Sequence, residues 1–334
     1  MDPITHGVLG AAAGYAVAGR RLGPRAAYAG GLAGMIPDLD MLLRPLSDPA
    51  LPWEMHRHFT HALLFTPVGA LFAWIPFLAG RIERADRRLL YLVCCLGYLS
   101  HSLLDNATSW GTLWYWPFSA TRVALDYIAI VDPLFSIVIL VGLVVTLRRK
   151  AAGPAVAGIL IAVAYIGFGA FQHGRAAAAL RVTAASRGGS VERMRVVPTL
   201  ANVVLWRGLS VSGGMVHADA IRTPILGAAR VEAGASLAIV RPPPGSEEGR
   251  VAEAMRRFIS LADGYAAMTP DHPGVVGDMR YSLDPGGFVP LWGLRVAENG
   301  RSDPAVWVDL LEGGPSFPER VMEVLGFITR SVGR

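Results

Sequence analysis

The sequence predicts a membrane protein: an all-α transmembrane bundle of about six helices, followed by a soluble α+β domain with an antiparallel sheet. Three observations predict it. Only 17% of the 334 residues are charged and the mean hydropathy is +0.40, whereas a soluble domain carries about 25% charged residues. Apolar runs approaching the ~20 residues that a bilayer crossing needs recur through the first half. After Phe171 they stop, and charged, β-rich and turn-forming segments take over. The expected division is a bundle over 1–172 and an extracytoplasmic domain over 173–334.

The strongest runs are 61–79 and 154–171, followed by 89–104 and 131–147. Residues 4–19 and 26–43 are rich in Gly and Ala; small residues let helices approach closely, so these count as two further spans facing protein more than lipid. Of thirteen Lys/Arg in residues 1–172, ten fall at 20–25, 81–88 and 148–150. Six spans place those three loops on one face, which the positive-inside rule makes cytoplasmic. The acids sort oppositely, since only Glu83 and Asp86 of ten share that face. His6, His56, His58, His61 and His101 join the other acids at the outer end. The start "MDPITHG" lacks the basic region of a cleaved signal, so the first helix is expected to remain.

Beyond Phe171, strand patterns run through "NVVLWRGLSV", "ARVEAGASLAIV", "DMRYSL", "VPLWGLRV" and "AVWVDLL". Turn signals "SGG", "RPPPG" and "DPGG" separate them. Helical patterns fit 249–267 and 317–331. The positive charge is almost all arginine, with Lys150 the sole lysine, and no basic run or Arg/aromatic interleaving marks a nucleic-acid face. Cys94 and Cys95 point apart on a helix and read as core residues rather than a disulfide.

Four clusters carry chemistry: "DPITH" with Asp2 and His6, "PDLD" with Asp38 and Asp40, "HRHFTH" with His56, His58 and His61, and "HSLLD" with His101 and Asp105. His101 and Asp105, four apart, share one helical face, a spacing suited to two ligands of one metal. His56 and His61, five apart, converge only if His56 precedes the helix. Pro37 breaks a helix before "DLD" and frees the two acids to enter a cavity. Imidazole nitrogen with carboxylate oxygen is the donor set of zinc, manganese or non-haem iron. Singly, such residues are more often caps or interhelical hydrogen bonds, the reading given to Asp2, Asp48, Glu54 and His217; His272 reads as a turn residue. Arg44, Arg57 and Arg122 are the basic residues at the outer end, either neutralising acids or, for Arg57, holding an anionic substrate. Trp110, Trp114, Tyr115, Trp116 and Phe118 form either an interfacial belt or a lid.

With these motifs in order ("MDPITHG", "GMIPDLD", "HRHFTHA", "GYLSHSLLD", "WGTLWYWPF" and Asp132–Pro133) the first 135 residues resemble the YdjM-like family, bacterial inner-membrane proteins described as LexA-regulated metal-dependent hydrolases. "VPTLANVVLW" at 197–206 is similar to a later element of longer members. The resemblance implies a site of one or two divalent ions, zinc above manganese or iron, held by His6, Asp38 or Asp40, His56, His61, His101 and Asp105. His58 stands where the pattern has a small residue. A fainter likeness to zinc-dependent phospholipase C follows the order His, Asp, His, H-x-x-x-D, although no H-x-x-x-E occurs to complete a trinuclear site; Asp126, Asp132 or His173 are the candidates to stand in for it. The resulting expectation is a multi-pass inner-membrane hydrolase with its site facing the extracytoplasmic side. It would cleave a phosphoester of a lipid or envelope substrate by metal-activated water, with Asp40 accepting the proton and Arg57 steadying the anion. The alternatives are ion transport, or a structural envelope role without turnover.

Overall fold

The computed structural model describes residues 1–42, 51–79, 83–241, 250–296 and 306–310, with 322 and 326. Arg44, Asp48 and most of the helix expected over 317–331 lie outside them. The chain divides into two compact units, Met1–Arg44 with Pro52–Ala170, and Phe171–Arg334 with Pro45–Leu51.

The first unit is helical. Helix α1 (Pro3–Leu22) starts where the Asp2 carboxylate accepts from the Thr5 N–H at 2.9 Å, with Pro3 at the first helical position, an N-terminus that satisfies an otherwise orphaned donor. Gly23, in the left-handed region at φ 58°, ends it and α2 (Pro24–Met35) turns back. The two helices touch backbone to backbone. A Cβ on Gly30 would lie 2.2 Å from the Gly10 carbonyl oxygen, and one on Gly97 would lie 2.2 Å from that of Gly30. Glycine is required at this crossing because no side chain fits. Alanines 18, 26, 29, 33, 70 and 73 fill the core around Leu22, Leu90, Val93, Cys94 and Tyr98.

After α2, Pro37 diverts the chain into a 3-10 turn, Pro37–Leu42. A short α3 (Leu51–Met55), 3-10 turns at Phe59–His61 and Leu63–Phe65, α4 (Thr66–Trp74) and a further 3-10 turn at Ile75–Leu78 follow. Then come α5 (Arg84–Ala107), α6 (Pro133–Arg149) and α7 (Gly153–Ser186). Asp132 caps α6, its carboxylate accepting from the Phe135 N–H at 3.2 Å and from the Tyr165 hydroxyl at 2.7 Å.

The expectation of a six-span bundle is overturned. Among the described residues one helix, α7, is long and apolar enough to cross a membrane, or two segments if the pair Trp53–His61 and Leu63–Leu78, bent by 60°, is one span. The architecture is mixed, helices with antiparallel sheets. Run 26–43 fails because Pro37 ends it, leaving α2 with 12 residues, about 18 Å of helix. Run 61–79 breaks into turns around the nine-residue α4, about 13 Å long. At 17 residues α6 reaches about 26 Å, short of the ~30 Å hydrocarbon core. Helix α5 has the length but opens on Arg84, Asp86, Arg87 and Arg88 and closes among His101, Ser102, Asp105 and Asn106. The inside–outside assignment from arginine loops rested on six crossings and falls with them.

The second unit carries two four-stranded antiparallel sheets rather than one. Sheet order β1-β2-β3-β4 joins β1 (Val191–Pro198), β2 (Leu205–Ser212), β3 (Met215–Arg222) and β4 (Arg230–Ala238). Gly213 and Gly214, at φ 56° and 76°, supply the two left-handed residues of the β2–β3 turn. The second sheet orders β5 (Ala266–Met268), β6 (Val275–Asp278), β7 (Trp292–Arg295) and β8 (Val306–Asp309). Helix α8 (Arg250–Leu261) packs Phe258 and Ile259 on it with Val276 and Leu294. An Ile239–Ala267 bridge links the sheets. In "VPTLANVVLW" the Asn202 side chain accepts from the N–H groups of Val204 and Leu205, so this element is a structural turn between β1 and β2. Arg207, buried on β2, donates to the carbonyls of Met279, Asp284, Pro285 and Gly287. Burial lowers its pKa to about 10 against the pull of Asp284, Asp278 and Asp219.

Candidate metal centre

The site forms where α1, α5, the Pro37–Leu42 turn and the Phe59–His61 turn meet. Each contributes for a local reason. On α5 the i,i+4 spacing puts His101 Nε2 3.2 Å from Asp105 Oδ2. A Cβ on Gly34 would lie 2.5 Å from the His6 carbonyl oxygen, so glycine draws the end of α2 onto α1. The Gly34 carbonyl then accepts from His101 Nδ1 at 2.7 Å. Pro37 swings Asp38 and Asp40 out of α2's path.

Asp38, His61, His101 and Asp105 come together, one ligand atom of each within 4.8 Å of the others. The His61 and His101 Nε2 atoms lie 2.9 Å apart. From His61 Nε2 it is 3.6 Å to Asp38 Oδ1 and 3.4 Å to Asp105 Oδ2, and from His101 Nε2 3.5 Å to Asp38 Oδ1. Ligands ~2.0–2.1 Å from a tetrahedral zinc stand about 3.3–3.4 Å from one another, close to these separations.

The hydrogen bonds define which atoms carry lone pairs. His101 Nδ1 faces a carbonyl and must be protonated, which leaves its Nε2 bare when neutral. The Thr60 hydroxyl gives its proton to Asp40 Oδ2 at 2.9 Å, so at 3.0 Å from His61 Nδ1 it accepts, leaving His61 Nε2 bare as well. Asp38 Oδ1 and Asp105 Oδ2 are buried, and the nearest cation to Asp105 Oδ2 is the Arg57 guanidinium, its Nε 3.0 Å away. With both rings neutral, four acceptor atoms face one another in a dry interior beside the Arg57 guanidinium. Burial lowers the His101 pKa, but Asp105 and Asp38 outweigh it and raise it to about 9, so without a metal that ring takes up the proton. An extra proton on one imidazole would relieve one contact; a divalent ion satisfies all four. The residues fit a metal.

His6 and His56, expected as ligands, lie outside this group. His6 Nε2 meets Asp105 Oδ1 at 3.1 Å and its ring stacks on His101 with centroids 3.6 Å apart. The Met1 amino group contacts the same Asp105 oxygen. His56 Nδ1 donates to Asp40 Oδ1 at 2.9 Å. Asp40, expected as a free base, is buried and accepts from His56, Thr60 and the Arg57 N–H. His58 packs edge-on against Phe59 and Trp116, away from the four. Arg57, expected to face an anion, is buried with its Nε 3.0 Å from Asp105 Oδ2 and its Nη1 donating to Thr108. Its backbone is left-handed at φ 57°, a conformation that costs a non-glycine residue of order 1 kcal/mol; it aims the N–H at Asp40 while the side chain turns to Asp105. Trp110 is buried beside His56, whereas Tyr115, Trp116 and Phe118 are exposed.

Burial would raise the Asp38 carboxyl, but the His101 and His61 rings beside it, at 3.5 and 3.6 Å, outweigh that and hold it well below the usual range. Asp40 is likewise pulled down, against burial, chiefly by His56. Burial lowers His56, and Asp40 only partly offsets that. Burial would raise Asp105 as well, but Arg57 outweighs it and holds it well below the usual range, so Asp38 and Asp105 are both ready as anions, which is what metal ligation requires.

Three residues of the site escaped the motif reading: Thr60, Tyr98, whose hydroxyl donates to the Thr60 carbonyl, and Gly34. Thr60 sits inside "HRHFTH", and its place next to His61 was the available signal.

Comparison with known proteins bears on the helical half. The YdjM inner membrane protein family matches residues 1–176. Inner membrane protein YbcI of Escherichia coli (strain K12) is 34% identical over 121 residues, which are 36% of this chain and 69% of that protein. No solved structure matches. All four residues of the group lie inside the family match, both sheets lie beyond it, and the chain belongs to the YdjM inner membrane protein family.

Proposed function

We propose that the chain is a membrane-bound metal-dependent hydrolase acting on a phosphoester of a lipid or envelope molecule. One observation carries the reading: two imidazole nitrogens and two carboxylate oxygens, from Asp38, His61, His101 and Asp105, converge within 4.8 Å of one another in the interior. Asp38, His61, His101 and Asp105 would hold the ion, zinc by donor set and spacing. When bound, it would supply Lewis acidity and a water acidified to a pKa of about 7. Thr60 and the Gly34 carbonyl fix the histidine tautomers. Asp40 holds His56 and Thr60 in place, and Arg57 offsets the charge of Asp105. Leu39, Leu63 and Leu64, beside the ligands in sequence, are exposed, which supports a substrate with an apolar part.

The test is metal analysis of detergent-purified protein, with a phosphoester and phospholipid hydrolysis panel run with and without chelator. Expected are one or two zinc ions per chain, lost in His101→Ala and Asp105→Ala, and a chelator-sensitive activity. Protein without stoichiometric metal, or metal that survives both substitutions, overturns the reading. Metal without turnover on any substrate favours the structural alternative.

A further inference from the structure

Beyond the metal centre and independent of it, we propose that the connection Thr223–Ala229 between β3 and β4 is a lipid-inserting anchor, with Ile225 and Leu226 entering the bilayer surface. These side chains are 73% and 87% exposed, Leu226 the most exposed large hydrophobic residue among those described. The loop that carries them is fastened. Gln172 Nε2 donates to the Thr223 carbonyl at 2.6 Å, and Arg175 donates to the carbonyls of Pro224, at 2.7 Å, and Gly227. The Trp206 indole N–H holds the Thr223 hydroxyl at 2.9 Å. A loop held at both ends and presenting two adjacent large aliphatic side chains to water leaves their burial unrealised.

Two features identify lipid as the occupant. Gln172 and Arg175 belong to α7, the helix apolar and long enough to cross a membrane. They follow directly on Phe171, the 62% exposed last residue of its apolar run. Arg175 lies about 6 Å further along the axis than Phe171, so the loop is tied to α7 where its apolar stretch gives way to polar residues, the level of the lipid–water boundary. The charge is complementary too: residues 223–229 contain no acid, and Arg175, Arg222 and Arg230 flank the tip, as basic groups flank apolar wedges that meet anionic headgroups.

The test uses the full chain in nanodiscs of phosphatidylethanolamine and phosphatidylglycerol. Cys95→Ala removes the half-buried thiol, while Cys94 is buried and stays. Nitroxide labels are placed at Leu226→Cys, at Phe171→Cys as the lipid reference and at the exposed Ser190→Cys as the water reference. Power-saturation measurements compare collision with oxygen, which concentrates in lipid, and with a water-soluble nickel chelate. The label at 226 is expected to match that at 171, reached by oxygen and lost to the chelate. If the chelate reaches 226 as readily as 190, the loop lies in water and the proposal fails. If neither reagent reaches it, protein covers the loop, a second copy or another partner, and the proposal also fails.

Discussion

Asp40 accepts three hydrogen bonds, from His56 Nδ1, Thr60 Oγ1 and the Arg57 N–H, and that satisfaction decides what it can do. An oxygen already engaged by Thr60 orients the ring that Thr60 in turn orients, an outer-sphere arrangement whose loss costs 10–100-fold in metal affinity. Asp40→Asn is therefore expected to weaken zinc binding by about that factor, read by competition with a chromogenic chelator. A variant with unchanged affinity and lost turnover would instead make Asp40 the proton acceptor that its sequence position suggested. Thr60→Val removes the acceptor for His61 Nδ1 and frees the ring to take the other tautomer. Its zinc affinity is expected to fall about tenfold in the same titration. From sequence, "HSLLD" was legible as a pair sharing one face because spacing along a helix maps directly onto direction. The separate fates of Asp38 and Asp40 were not, because a 3-10 turn rotates each residue differently from an α-helix.

Helix α1 meets α2 and α5 through glycine, and this contact holds the ligand-bearing segments together. Gly30→Ala would place a methyl 2.2 Å from the Gly10 carbonyl oxygen, so the helices must separate. Overpacking of this kind costs about 1–3 kcal/mol, and the variant's thermal midpoint is expected to fall accordingly. Gly174→Ala is the contrast. It lies inside α7 with no atom within 4 Å of the added Cβ, and alanine's helix preference predicts stabilisation of about 0.5–1 kcal/mol. Equal shifts in the two variants would show that the glycine crossing is not what positions the site. The Gly/Ala richness of 4–19 and 26–43 was visible in sequence and rightly pointed to close helix packing. It wrongly counted those runs as spans, because small residues serve close packing whether or not lipid surrounds the bundle.

At the scale of the molecule, the helical unit is expected to depend on its metal. An ion that binds only the folded state adds RT ln(1 + [L]/Kd), about 2.7 kcal/mol at a hundredfold excess over Kd. Chelation should lower the unfolding temperature of the full chain and zinc should restore it, with Asp105→Asn insensitive to either. In the second unit, Arg207→Met leaves four carbonyls of Met279–Gly287 without their donor. A loss of at least about 1–3 kcal/mol, the cost of one buried acceptor left unpaired, is expected, read as early proteolysis of the second unit with the metal content unchanged.

The sequence by itself determined the family and marked out the candidate ligands, because residue type and short-range spacing are carried in order along the chain. It also marked α7 as apolar and the region beyond Phe171 as strand-bearing, through runs and alternation that need no partner. Only the tertiary structure decided that the other apolar runs are short, bent or polar-ended helices. It also decided that Asp38, His61, His101 and Asp105 come together as the candidate metal group, while His6 meets Asp105 and His56 meets Asp40 outside it. Hydropathy counts how apolar a segment is, but where a proline bends it and which lone pairs then face each other depend on contacts between residues as far apart as Gly34 and His101.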